Sequence, residues 1–85
     1  RSDRVRRLYQ HLDRLSEKKR TVLVLHDLEG LLPIEIASIV EAPVLTVRTR
    51  LFYARRELYA ALASDPELAA LAAELNAQAQ RREEP

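Results

Sequence analysis

Between Leu25 and Leu51 the chain carries its single glycine, Gly30, and two of its four prolines, Pro33 and Pro43. These residues divide one apolar-rich stretch into three helical pieces joined by two short breaks. Gly30 follows a helix that ends near Leu28, where a residue with positive φ closes the last turn at little steric cost. Pro33 suits the first turn of the next helix, since its missing N–H would have had no intrahelical partner there. That helix runs to about Glu41 and buries Ile36, Ala37, Ile39 and Val40. Ala42-Pro43 ends it, because a residue before proline is pushed out of the helical region. Two helices separated by so short a break are expected to cross at a steep angle, the layout of a helix-turn-helix whose second helix enters the major groove of DNA.

The flanking segments are also helical. From Asp3 to about Arg14, Val5, Leu8, Leu12 and Leu15 recur at three- and four-residue spacings. Ser16 is the expected N-cap of the second helix, with Glu17 favourable in its first turn. Thr21-Val22-Leu23-Val24-Leu25 has the composition of a strand, but the charged lead-in Glu17-Lys18-Lys19-Arg20 and the run to Leu28 favour a helix. The fourth helix is expected from Val44 to about Ala63, where Ser64-Asp65-Pro66 stops it. Asp65 as N-cap and Pro66 as first residue then start a fifth helix, to about Gln80. Its stripe of Leu68, Leu71 and Leu75 among alanines is thin, and Arg81 to Pro85 are expected to fray. The expected fold is all-α: a small bundle of four core helices with a helix-turn-helix over 1–63, and a C-terminal extension over 64–85.

Helix four carries the chemistry. At about 100° per residue, Val47, Leu51, Ala54 and Leu58 form one narrow core stripe with Val44 at its edge. Leu45, Thr49, Phe52 and Arg56 then face the other way, with Tyr53 on one flank and Arg48 and Arg55 on the other. Bulky hydrophobes among arginines need a partner to cover them. DNA suits this mixture: arginine pairs with phosphates or guanine edges, threonine bonds phosphate or base, and an aromatic ring meets a thymine methyl. Arginines on a helix are more often a solvated face, and it is their conjunction with the turn and the exposed aromatics that favours DNA here.

Charge distribution agrees. Residues 1–20 hold eight basic and three acidic side chains, residues 57–85 hold six acidic and two basic, and four arginines lie between 48 and 56. A polyanion would meet a local basic surface. The basic run Arg4, Arg6, Arg7 is read as a solvated face rather than as a phosphate site.

At 85 residues the chain has room for one small domain and none for a substrate domain. It lacks cysteine, which is compatible with a reducing, intracellular setting. No apolar run, Val22 to Leu25 included, is long enough to span a bilayer, so a soluble domain without signal peptide or anchor is expected. His26 and Glu29 have the spacing of a helical metal pair, but with only a distant His11 they make no closed site. Ser16, Ser38 and Ser64 lack a nucleophile-elbow context and no Gly-rich loop is present, so neither enzyme activity nor a cofactor is expected. The arginine at the first position suggests a piece of a longer polypeptide.

Leu15 to Leu58 resembles region 4 of bacterial sigma factors of the extracytoplasmic-function group. The residues that carry the likeness are His26 to Leu31, Glu35-Ile36-Ala37, Pro43-Val44, and Thr46-Val47-Arg48-Thr49-Arg50-Leu51 with Ala54-Arg55. The resemblance implies a cytoplasmic DNA-binding module for the −35 promoter element that docks on RNA polymerase core through the β flap. It places base and nearby backbone contacts at Arg48, Thr49, Phe52 and Tyr53, and supporting phosphate contacts at Thr46, Arg50, Arg55 and Arg56. The helical wheel sets Arg50 closer to the core side, where it would anchor helix four or meet a phosphate at the groove edge. Departures from the family pattern are Leu32 in place of a capping serine, Glu41 and Leu45 in place of glycines, and Tyr53 in place of a basic residue. The alternative is a protein-interaction module that uses Leu45, Phe52 and the fifth helix to bind a regulator such as an anti-sigma factor or to pair with a copy of itself, although fold-back packing of that helix is favoured.

Overall fold

A computed structural model describes residues 2–82, and every regular element among them is helical. The elements are α1 (Asp3–Asp13), α2 (Glu17–Leu23) continued by a π-helical turn (Val24–Leu28), α3 (Pro33–Val40), α4 (Val44–Ala63) and α5 (Ala69–Arg82). No helix among the described residues is long and apolar enough to cross a membrane. The chain forms two compact units, one of residues 15–56 and one of residues 1–14 with 57–85. This grouping differs from a division at residue 63, because α1 belongs with α5 rather than with the helix-turn-helix.

In the 15–56 unit the breakers act as the sequence predicts. Ser16 Oγ accepts the Lys19 N–H at 3.4 Å and caps α2. Gly30 has φ +78, the left-handed conformation that closes the second helix. The expected uniform helix to Leu28 instead widens at Val24, where the Glu29 N–H reaches back five residues to the Val24 carbonyl at 3.0 Å. Leu32 has no side-chain acceptor for the start of α3. Glu35 compensates by accepting the Leu32 N–H at 2.8 Å, the reciprocal half of a capping box.

α3 ends at Glu41, which holds φ 56 and ψ 53. The Glu41 and Ala42 N–H groups both turn back to the Ala37 carbonyl, closing the helix on a left-handed residue. A side chain is strained in that conformation by about 1–2 kcal/mol. Glu41→Gly is therefore expected to stabilise the domain by about 0.5–1 kcal/mol, after the greater freedom of glycine in the unfolded chain is deducted. A higher urea midpoint with an unchanged slope would show it.

In the other unit, Leu12, Leu58, Leu62, Leu68, Ala72 and Ala79 are buried, and Leu71 and Leu75 are half-buried. Of the expected stripe Leu68, Leu71 and Leu75, only Leu68 is fully buried. α5 begins at Ala69 rather than Pro66. Asp65 is the reason, because it holds a separate turn. Its carbonyl accepts the Leu68 N–H at 2.9 Å and its carboxylate accepts the Glu67 N–H at 3.0 Å, while regular α5 bonding starts with the Ala72 N–H on the Leu68 carbonyl. Of the tail expected to fray, Arg81 and Arg82 lie in α5, and residues 83–85 lie outside the described residues.

The same Asp65 carboxylate, 8 % exposed, accepts from His11 Nε2–H at 3.1 Å and from Arg7 Nε at 3.1 Å. The His11 hydrogen bond foremost, then that of Arg7, holds its pKa at about 2 against an ordinary 3.8. A depressed carboxylate contributes stability above its unfolded value and loses it as pH falls toward the folded one. Asp65→Asn is accordingly expected to lower the melting temperature at neutral pH. The gap from the parent should narrow between pH 3.8 and about 2, as followed by circular dichroism melts. A constant gap across that window would remove Asp65 as the titrating anchor.

Candidate nucleic-acid interface

The candidate interface is α4 between Val44 and Arg56, which follows the Glu41 turn. Its first helical bond runs from the Val47 N–H to the Pro43 carbonyl at 3.1 Å, and its first turn contains no acidic residue. The exposed N–H groups there and the positive end of the helix dipole favour an anion. Val47, Leu51 and Ala54 are buried and fix the rotation of the helix.

That rotation leaves Leu45, Arg48, Thr49, Phe52, Tyr53 and Arg56 exposed, and Thr46 and Arg50 half-buried. Leu45 is 74 % exposed, Phe52 54 % and Tyr53 46 %. The Phe52 and Tyr53 rings meet edge to face, with centroids 5.2 Å apart and planes at 86°. Seven of the eight candidate DNA contacts are therefore at least partly accessible.

Arg55 is the exception, without the accessibility that the expected phosphate contact calls for. It is 8 % exposed, and its guanidinium holds the Asp27 carboxylate through Nη2 at 2.8 Å and Nε at 3.3 Å. This fork-to-carboxylate geometry is the strong form of an ion pair. It ties α4 to the widened turn at the end of α2 and commits Nε and Nη2 to Asp27. The wheel holds a signal for it: Arg55 lies only about 40° from Leu51, at the border of the core stripe. Asp27 carried no such signal, since an acid near a helix end is ordinary on a solvated surface.

His26, in the same turn, donates from Nδ1 to the Leu31 carbonyl at 2.7 Å, so this nitrogen serves the loop rather than a metal. Near the N-terminus Arg6 pairs with Asp3, and Arg7 with Asp65.

The family model for sigma-70 region 4 matches residues 5–58, more than half of the chain. The chain belongs to the sigma-70 region 4 family. It is 42 % identical over 55 residues to the RNA polymerase sigma-H factor of Pseudomonas aeruginosa. The alignment covers 65 % of this chain and 28 % of that relative, so this region 4 chain spans under a third of the curated protein it matches. No solved structure matches it. The family match takes in α1 through most of α4 and ends at residue 58, so α5 lies beyond the shared region.

Proposed function

We propose that this region 4 domain reads the −35 element of promoters by placing α4 in the major groove, as part of a sigma factor of the extracytoplasmic-function group. The observation that carries the reading is the exposed face of α4. Arg48, Thr49, Phe52, Tyr53 and Arg56 stand together on it, directly after a tight turn and with no acid between Val44 and Arg56. Arg48 and Arg56 supply cations, Thr46 and Thr49 hydroxyls, and Arg50 a half-buried donor at the edge of the face. Arg55 acts within the domain by holding Asp27.

Binding to RNA polymerase core through the β flap is the second part of the proposal. Leu28, Leu32, Ile34 and Ile39, the last expected from the sequence to be buried, are exposed in the same unit and lie outside α4, leaving apolar surface for a protein while the reading face is engaged. The alternative, an interaction module using Leu45, Phe52 and the fifth helix, is weaker at the fifth helix, where Leu71 and Leu75 are half-buried and Ala72 and Ala79 buried.

The test is selection from a randomised DNA duplex library followed by equilibrium binding at several salt concentrations. A groove reader enriches a defined sequence and binds it with a steep negative dependence on salt. No enrichment, with only weak binding common to all duplexes, would overturn the reading.

A further inference from the structure

We propose that α4 reads thymine through its C5 methyl group, with Leu45 as one specificity-determining contact and the Phe52–Tyr53 pair as another. This inference rests on the proposed placement of α4 in the major groove.

Leu45 is the second residue of α4 and, at 74 %, the most exposed of the large hydrophobic residues among those described. Residues at the N-terminal end of a reading helix are those that reach base edges. Leu45, Thr49, Phe52 and Arg56 follow one another at four-, three- and four-residue steps, so they line one strip of the helix. The strip therefore alternates apolar and polar groups and ends in a cation.

Its occupant has to satisfy both characters. No acid interrupts residues 44–56, and Arg48 and Arg56 lie within a turn of the apolar side chains, which matches a polyanion. The apolar group that a DNA major groove offers at a base edge is the thymine methyl. Phe52 and Tyr53 already brace each other edge to face, so less side-chain freedom is lost when they meet it. The arginine contribution is narrower than the sequence suggests, because Arg55 is held by Asp27 and Arg50 is half-buried.

The spacing is a prediction in itself. Leu45 and Phe52 are seven residues apart, about 10 Å along the helix axis. That distance corresponds to about three base-pair steps of 3.4 Å. Two thymine-dependent positions about three base pairs apart should therefore occur in the bound site.

The experiment uses the duplex selected by the 85-residue domain, with each thymine replaced singly by deoxyuridine. This change removes the methyl and leaves the hydrogen-bonding edge intact. Two positions are expected to lose about fourfold in affinity each, the effect of one buried methyl group. Leu45→Ala should abolish the deoxyuridine effect at one of them and Phe52→Ala at the other. Both side chains are exposed, so the variants should keep the parent's helical circular dichroism. Salt-dependent binding of a selected duplex that is indifferent to every deoxyuridine would overturn methyl readout and leave groove binding standing. Failure to select any duplex would overturn the groove reading, and this inference with it. A Leu45→Ala protein that loses self-association while keeping every deoxyuridine effect would assign the face to a second copy of the chain and overturn the role of Leu45.

Discussion

Replacing Arg55 by alanine is expected to cost about 3 kcal/mol of stability, because it leaves the Asp27 carboxylate with its main countercharge removed in a poorly solvated site. The pair is short, forked and nearly enclosed: the Arg55 side chain is 10 % exposed and that of Asp27 17 %. A domain of this size has a total stability of only about 5 kcal/mol, so most of the margin would go. Asp27→Ala should cost a similar amount. The double substitution should cost clearly less than the sum, since each single change already breaks the same interaction. Arg55→Lys should recover only part of the loss, because an ammonium cannot reproduce the two-pronged contact. Urea unfolding of the four variants beside the parent measures this directly. Stability unchanged in Arg55→Ala, together with a weaker salt dependence of DNA binding, would return Arg55 to the phosphate-binding role implied by the resemblance.

The contrast between Arg55 and the rest of α4 shows what a sequence can report. Gly30, Pro33 and Pro43 act through their own backbones, so the boundaries of α3 and the start of α4 follow from local rules. The core stripe Val47, Leu51, Ala54, Leu58 follows from helical periodicity and is buried as the wheel places it. The accessibility of Leu45, Thr49, Phe52 and Tyr53 follows from the same wheel. What periodicity leaves out is partnership across the chain. Asp27 lies 28 positions from Arg55, and Asp65 lies 58 from Arg7. Asp65 caps its own turn by accepting the Glu67 N–H, a local bond the sequence does report, while its hold on Arg7 and His11 is one it does not. The π-helical turn at Val24 belongs to the same class, since its one extra residue alters no composition pattern. It nonetheless carries both His26, which closes the loop to Leu31, and Asp27, which fastens α4.

The complementary experiment removes the cations that remain on the reading face. The double substitution Arg48→Gln with Arg56→Gln is expected to lower affinity for the selected duplex by about tenfold per arginine near 0.1 M salt. It should also flatten the logarithmic salt slope by about 0.9 for each phosphate that is no longer neutralised. Both residues are exposed, so the melting temperature should stay close to that of the parent, opposite to the expectation for Arg55→Ala. The two positions are separable. Arg56 lies three turns down the helix from Leu45, where a side chain meets backbone more readily than base, so its removal should weaken all duplexes alike. Arg48 lies in the second turn, and if it pairs with a guanine edge its removal relaxes the selected sequence at one position while leaving most of the slope in place. Arg6→Gln serves as the control. Its guanidinium pairs with Asp3 on α1, and its removal should leave the slope unchanged. A slope equally insensitive to Arg48 and Arg56 would mean that α4 does not lie against the phosphate backbone, and the exposed strip from Leu45 to Arg56 would then require a protein partner instead.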